Sequence, residues 1–356
     1  MGTLVLATEL NFVGKLIYDY LYQWVLGWGS NFELIGAFGI TVILFTIFLK
    51  ILVLPMDVWQ KTLSRKNTLK MEIMKPALDK AAKQCGENKE LLMQKQRAIY
   101  KEHGYSAFSA CLPSLISLAI FMVVFSGFNS AVKFENSTTF DELSAVYDAA
   151  YESAVTEYTA DGSYASTEVV VMAVESAEAA VLEAYEPEKF LLTKNIFMSD
   201  TWANPIPTVS DYTGTGLGKL GITDMDSTTY NRVMGVIEEY YNYNEDGDSV
   251  WNGYLILPIL SFLLSIVSTR LIKQPEQPAV AGQTEEQQKA QQNQTKMMTY
   301  MMPLMMGVFA LFYSTAFTLY MVVSNLFSTT FNLLFNLVTK KKDAEAKDKR
   351  LSTTIK

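Results

Sequence analysis

The residue with the most chemical potential in this 356-residue chain is Lys50, one ammonium in the otherwise uncharged run GAFGITVILFTIFLKILVLP at residues 36–55. At the centre of a bilayer-crossing helix such a group costs roughly 2.5–3.5 kcal/mol on insertion scales. It therefore faces a bundle interior or water, or its stem carries the charge to the headgroups; residue type alone leaves both readings open. Thr46 lies one turn away on the same face. Ser261, Ser265 and Ser268 stripe a second apolar run, Ser324, Asn325 and Ser328 mark another, and Ser114 and Ser117 sit in a further one. Singly, each hydroxyl reads as bonded back to its own helix or as a small residue easing helix contact. If their faces converge, they make a polar groove around Lys50.

Other chemistry is thinly supplied. One histidine, His103, and two cysteines, Cys85 and Cys111, argue against Ser-His-Asp or Cys-His catalysis and exclude a zinc site built on two or three histidines. The run KMMTYMMPLMM at 296–306 offers soft sulfur ligands, but with no Cys or His beside it flexible apolar packing is the simpler reading. The stretch GTGLGKLG at 214–221 lacks the Lys-Ser/Thr ending of a phosphate loop and follows no predicted strand. No catalytic residue, metal or cofactor is assigned, and the chain reads as a non-enzyme.

The elements that position these residues are membrane spans. A helix of 20 residues covers about 30 Å, the thickness of the hydrocarbon core. Five transmembrane helices are expected, at 36–55, 106–128, 253–272, 297–316 and 317–339, in an all-α membrane protein. Pro113, Pro258 and Pro303 inside them suggest kinks. Residues 56–105 carry 11 Lys/Arg against 6 acids and divide at Gly86-Glu87-Asn88, which predicts a helical hairpin with basic outer faces. Lys61, Arg65, Lys66, Lys70 and Lys75 lie on it, and those faces are either simply solvated or meet anionic lipid or RNA-rich ribosome surface. This hairpin, a Gln-rich flexible loop at 273–296 and a basic tail at 340–356, disordered until bound, fall on one side of a five-span chain. That side is cytoplasmic by the positive-inside rule, placing the N-terminus outside and the C-terminus in the cytoplasm.

Charge is sorted accordingly. Residues 129–252 hold 22 Asp/Glu against 5 Lys/Arg, a net of −17, so the overall −8 leaves +9 elsewhere. That stretch is expected to form an acidic extracytoplasmic insertion, helical near 140–185 and irregular beyond Phe190, with an exposed loop at 240–248. At 1–35, Phe12, Leu16, Tyr20, Trp24 and Trp28 fall on one stripe, which suits an amphipathic helix in the outer interface, the alternative being a loosely ordered aromatic leader. Met1 to Leu10 lacks the basic start of a secretory signal.

Three segments together, ILFTIFLKILVLP, YKEHGYSAFSACLPSLI and TLYMVVSNLFST, resemble the core of the YidC-type membrane protein insertases, the bacterial group related to the oxidase-assembly insertases. The likeness covers 36–128 and roughly 253–338 in the right order. It implies a groove open to the cytoplasm with a positive residue on the first core helix, the position of Lys50; bacterial members mostly carry Arg there, and Lys keeps the charge without the planar fork. In the last span the family commonly has an aromatic pair where this chain has Tyr320-Met321, and the acidic insertion is atypical.

The resemblance implies a bacterial plasma-membrane insertase and chaperone, a functional monomer acting on nascent membrane proteins. Met301, Met305, Phe309, Tyr320 and Met321 would be the apolar slide along which a substrate helix leaves for the lipid. The ribosome, through tail and hairpin, the Sec translocon and anionic lipids are the implied partners. Competing readings are a small-solute transporter, an intramembrane enzyme, and a membrane-anchored adaptor acting through its outer domain. The first would show inverted repeats, which five spans do not provide. The second would need acidic residues or His within the spans, where none is present.

Overall fold

The computed structural model describes residues 9–28, 34–86, 88–105, 107–222, 225–271, 300–301 and 303–354. The expected loop at 273–296 lies outside the described residues. Among those described, every regular element is a helix and no strand forms, only isolated bridges. Helix α1 joins three consecutive pieces, Phe12–Lys15, a π-helical stretch Leu16–Tyr22, and Gln23–Leu26. Then come α2 (Ala37–Cys85), α3 (Lys89–Glu102), α4 (Ala107–Asp161), α5 (Ser166–Ala184), α6 (Val209–Thr213), α7 (Ser227–Asn242), α8 (Ile256–Leu271), α9 (Pro303–Phe312) and α10 (Thr315–Thr354).

Three of these contain stretches long and apolar enough to cross a membrane: Ala37–Asn67 in α2, Leu115–Asp161 in α4 and Thr315–Thr339 in α10. Helices α8 and α9 are apolar but shorter. Helix α8 starts at Ile256, after a capped turn, and Leu271 is the last residue of it among those described.

The chain divides into two compact units. The first holds Met1–Phe45, Val123–Ser261 and Gly307–Val322. In it α1 is fastened to α4 at its start, where Asn11 donates through Nδ2 to the Ser126 carbonyl at 2.9 Å and through its own N–H to Ser130 Oγ at 2.9 Å. The inner face of α1 buries Ile17, Tyr22 and Val25, while Phe12, Tyr20, Trp24 and Trp28 stay exposed. Aromatic rings fill the centre: Phe128 of α4 meets Phe45 at 5.8 Å and Tyr320 at 5.4 Å between centroids. Ala173, Ala177 and Val181 of α5 and Tyr230, Val233 and Ile237 of α7 are buried at helical spacing.

Segment 188–200 ties this unit together by capping three helix starts. Glu188 accepts backbone N–H groups of Ala37 and Phe38 at the start of α2. Gly36, at φ +67°, gives Glu188 and Lys189 the room to approach, because a Cβ there would strike both. Asp200 accepts from the N–H groups of Tyr254, Leu255 and Leu257 at 2.8–3.1 Å around the start of α8. The carbonyls of Met198 and Ile196 take the N–H groups of Thr315 and Ala316 at the start of α10. A helix start leaves four backbone donors orphaned, and buried ones must find such partners.

Residues 129–252 depart from the expectation in two places. Helix α4 carries through to Asp161 without a break, and α7 was not anticipated. The glycine-rich stretch has a packing role: Gly218, at φ +74°, lies so close to the Phe312 carbonyl that a Cβ would collide with it. Lys219 beside it pairs with Asp211 at 2.6 Å.

The second unit holds Thr46–Met122, Phe262–Met306 and Val323–Lys356. Here the far part of α2 turns through Gly86, and Met71, Met74 and Leu78 bury against Ile99, Tyr100 and Tyr105. Lys70 Nζ donates to the Gly104 carbonyl at 2.6 Å, just past the end of α3. Helix α10 continues to Thr354, against the disordered tail expected from 340. The sequence there supports helix, since Asp343 and Lys347, and Glu345 and Lys349, are spaced four apart with Ala between.

Candidate functional site

Within the second unit, Lys50 of α2 donates from Nζ to Ser328 Oγ of α10 at 3.1 Å. The bond joins residues 278 apart in sequence and gives a partly buried ammonium one hydroxyl partner. Thr46, one turn back, is fully buried. Asp57 and Lys61 continue the same stripe at seven and eleven residues from Lys50, and the Asp57 carboxylate attracts both ammonium groups. Lys61 itself sits over the rings of Phe331 and Phe335 of α10, 5.4 and 5.5 Å from their centroids. Cation–ring contact of this kind strengthens as water is excluded.

Helix α10 also reaches α8. Asn332 Nδ2 donates to Ser268 Oγ at 3.3 Å in a buried contact, and Asn336 Nδ2 to the Leu271 carbonyl at 3.0 Å. Ser117 of α4 donates to Gln60 Oε1 of α2 at 3.3 Å. Ser265, Ser324 and Asn325 are partly buried. One helix, α10, thus links α2 and α8 through a line of polar side chains at 328, 332 and 336. Asn332, Asn336, Asp57 and Gln60 belong to this arrangement and were not singled out from the sequence; spacing of four from Ser328 was the available signal for the two asparagines.

The remaining candidates fall differently. Ser261 is buried and belongs to the first unit. The Ser114 side chain lies outside the described residues. Met301 and Met305 are exposed and Phe309 partly so. Tyr320 and Met321 are not at the surface: both are buried, with Tyr320 against Phe128 and Phe317. They are core residues of the first unit and offer no sliding face. Of the basic residues on α2, Lys61 and Lys70 hold the contacts above, Lys66 and Lys75 are exposed, and Arg65 is partly buried.

Outside the apolar helices, Tyr22 of α1 donates to Glu188 Oε1 at 2.8 Å, and Tyr18 donates to Glu135 Oε2 at 2.5 Å. Burial pushes the Glu188 carboxyl above its ordinary range, and the bonds from Tyr22, Phe38 and Ala37 only partly counter it.

Fold and site together define an all-helical membrane protein that keeps a hydrogen-bonded ammonium and a line of amides and hydroxyls among apolar helices. The family model described as "60Kd inner membrane protein" matches residues 31–343, and the chain belongs to that family, the YidC/Oxa1 group. Relatives carrying the name "Membrane protein insertase YidC" include one from Bacteroides fragilis, 29% identical over 144 residues, covering 39% of this chain and 22% of the relative. Another, from Fusobacterium nucleatum, is 32% identical over 98 residues, 28% of this chain and 46% of the relative. A third, from Caldanaerobacter subterraneus, is 26% identical over 121 residues, 34% of this chain and 52% of the relative. The chain therefore matches between about a fifth and a half of the length of these relatives.

Proposed function

We propose that the protein is a membrane protein insertase and chaperone that works without a chemical step. The observation that carries this reading is the Lys50–Ser328 hydrogen bond between two apolar helices. A cation kept among such helices is costly, and an ionisable group in this position marks a path for polar cargo by default. The groove comprises Thr46, Lys50, Ser117, Ser265, Ser268, Ser324, Asn325 and Ser328, extended by Asn332. It opens to the cytoplasm, and the chain crosses the membrane five times with the N-terminus outside.

The hydrophilic segment of a nascent membrane protein enters this groove, where hydroxyls and water replace part of its hydration and Lys50 lowers the cost of its carboxylates. Its apolar helix leaves along the exposed Met301 and Met305 toward lipid. The apolar segment at 297–314, short for a core of about 30 Å, thins the bilayer beside the path and lowers the barrier further. The turned end of α2 with α3, and the basic end of α10, receive substrates and favour ribosomes and anionic lipid. The protein acts as a monomer, with or without a Sec translocon.

The experiment is complementation in bacteria depleted of their own insertase. The parent chain and Lys50→Arg should restore insertion of a substrate with an acidic translocated tail, and Lys50→Glu should not. Equal rescue by Lys50→Glu contradicts the electrostatic role. The transporter reading requires paired broken helices, whereas α2 runs unbroken across Lys50 and Pro55.

A further inference from the structure

Three apolar helices begin at one knot of chain. Ala37 of α2, Ile256 of α8 and Thr315 of α10 are all held by segment 188–200, so this knot sits at the depth where those helices leave the hydrocarbon. The knot is laced by backbone bonds: Leu191 N–H to the Leu34 carbonyl at 2.7 Å, Lys194 N–H to Asn252, and Asn252 N–H to Ala203. Several large apolar side chains project from the knot. Leu34 is 66% exposed, Leu191 50%, Leu192 61% and Trp202 61%. Trp251 and Tyr254 extend the patch, and Trp251 stands 6.1 Å from Trp202 between ring centroids.

Leu191 and Leu192 form the tip of a turn closed by reciprocal bonds between Phe190 and Thr193, at 2.9 and 3.1 Å. Leu191 adopts φ +51°, a left-handed conformation unfavourable for a side-chain-bearing residue, which the turn enforces and which presents both leucines outward. Charge gives a second, independent pointer. Of the five cations in the −17 stretch, Lys219 and Arg232 pair with Asp211 and Asp148. Lys189 and Lys194, both exposed, flank the leucine pair in the sequence KFLLTK. A leucine tip between two lysines, with exposed tryptophans at 202 and 251 in the chain laced to the same knot, matches the headgroup and acyl boundary of an anionic bilayer.

We propose that the turn at 190–193, with Trp202 and Trp251, is a lipid-docking surface that seats residues 188–202 in the outer leaflet of a phosphatidylglycerol-containing membrane. The proposal rests on α2, α8 and α10 being membrane-embedded, and extends lipid contact into the region read as an acidic extracytoplasmic insertion.

The test is spin-label depth measurement on the full chain in vesicles of phosphatidylcholine with phosphatidylglycerol, in a Cys85→Ser/Cys111→Ser background. Labels go at Leu192→Cys, at Leu263→Cys on the exposed face of α8, and at Asp246→Cys in an exposed loop. The 192 label should be more accessible to oxygen than to a water-soluble nickel chelate, the 246 label the reverse, and the 263 label deepest. A lipid-exposed 263 label with a water-exposed 192 label overturns the docking surface alone; a water-exposed 263 label overturns the membrane reading beneath it. A 192 label immobilised and shielded from both reagents, as contact with a protein or a second copy would give, also contradicts the proposal. Lys189→Glu/Lys194→Glu should make the 192 label several-fold more accessible to nickel, and a depth indifferent to this change and to phosphatidylglycerol overturns the electrostatic contribution.

Discussion

The Lys50 ammonium donates to the Ser328 hydroxyl at 3.1 Å, and this single bond joins the first long apolar helix to the last. The Ser328 hydroxyl oxygen satisfies one of the three donors of the ammonium and supplies it no countercharge. A carboxylate in place of Ser328 would have neutralised it. The carboxylate that does act on it is Asp57, two turns away on α2, which attracts the Lys50 ammonium.

Lys50→Ala and Lys50→Glu are expected to lower insertion of a substrate with an acidic translocated segment by about tenfold or more, equivalent to roughly 1.4 kcal/mol of barrier. Lys50→Arg should stay within a few-fold of the parent. Pulse-labelling with protease protection measures it, and a neutral-tailed substrate should respond much less than an acidic one.

Asn332→Leu removes the amide that reaches Ser268. Interhelical hydrogen bonds in membranes average about 0.6 kcal/mol and reach about 1.7, so a loss within that range is expected in a denaturant titration in mixed micelles. Asn332→Leu with Ser268→Ala should be less than additive, because the two changes remove one bond.

Asp200→Ala leaves three N–H groups around the start of α8, one buried and two partly buried, without their acceptor. Losing a helix cap costs about 0.5–2 kcal/mol, and buried orphan donors add to that. Hydrogen exchange at Leu255 and Leu257 should accelerate by about tenfold or more, with Asp200→Asn intermediate.

Glu188 gives a pH dependence of definite sign. Burial raises its folded-state pKa above the unfolded value, so the folded state holds the proton more tightly. The stabilising contribution is complete below the ordinary glutamate range and is lost as pH rises through the elevated folded value. The packing of α1 around Glu188 should therefore weaken between acid and neutral pH through the cost of burying the charge, even though the Tyr22 bond itself favours the carboxylate, and this is seen as rising hydrogen exchange in 17–25. Glu188→Gln, which keeps an acceptor for Tyr22 and cannot ionise, should flatten that response.

Legibility in the sequence followed how local each signal was. The apolar runs, the stripe on α1 and the isolated charge of Lys50 are visible because charge and periodicity act within a few turns. The Tyr230, Val233, Met234 and Ile237 spacing of α7 is equally local, but lies among Gly, Pro and acidic residues that masked its period. The partners of Lys50 were readable as a set of polar residues but not as pairs, since Ser328 lies 278 residues away and register between helices is a tertiary property. Capping by segment 188–200 was not legible, because Glu188 and Asp200 are ordinary acids in an acidic stretch until the fold brings helix starts to them. Tyr320 and Met321 were misplaced on the surface because an apolar helix shows no polar face to separate core from lipid.

The most direct test of the central claim is site-specific photocrosslinking to a ribosome-stalled nascent membrane protein, with the crosslinker placed in turn at Ser265, Asn325 and Ser328 and, as a control, at the exposed Tyr240. The groove account predicts crosslinks from the first three positions to the hydrophilic segment of the substrate, and none from Tyr240. A folded, membrane-inserted protein giving no crosslinks from 265, 325 and 328 would contradict it.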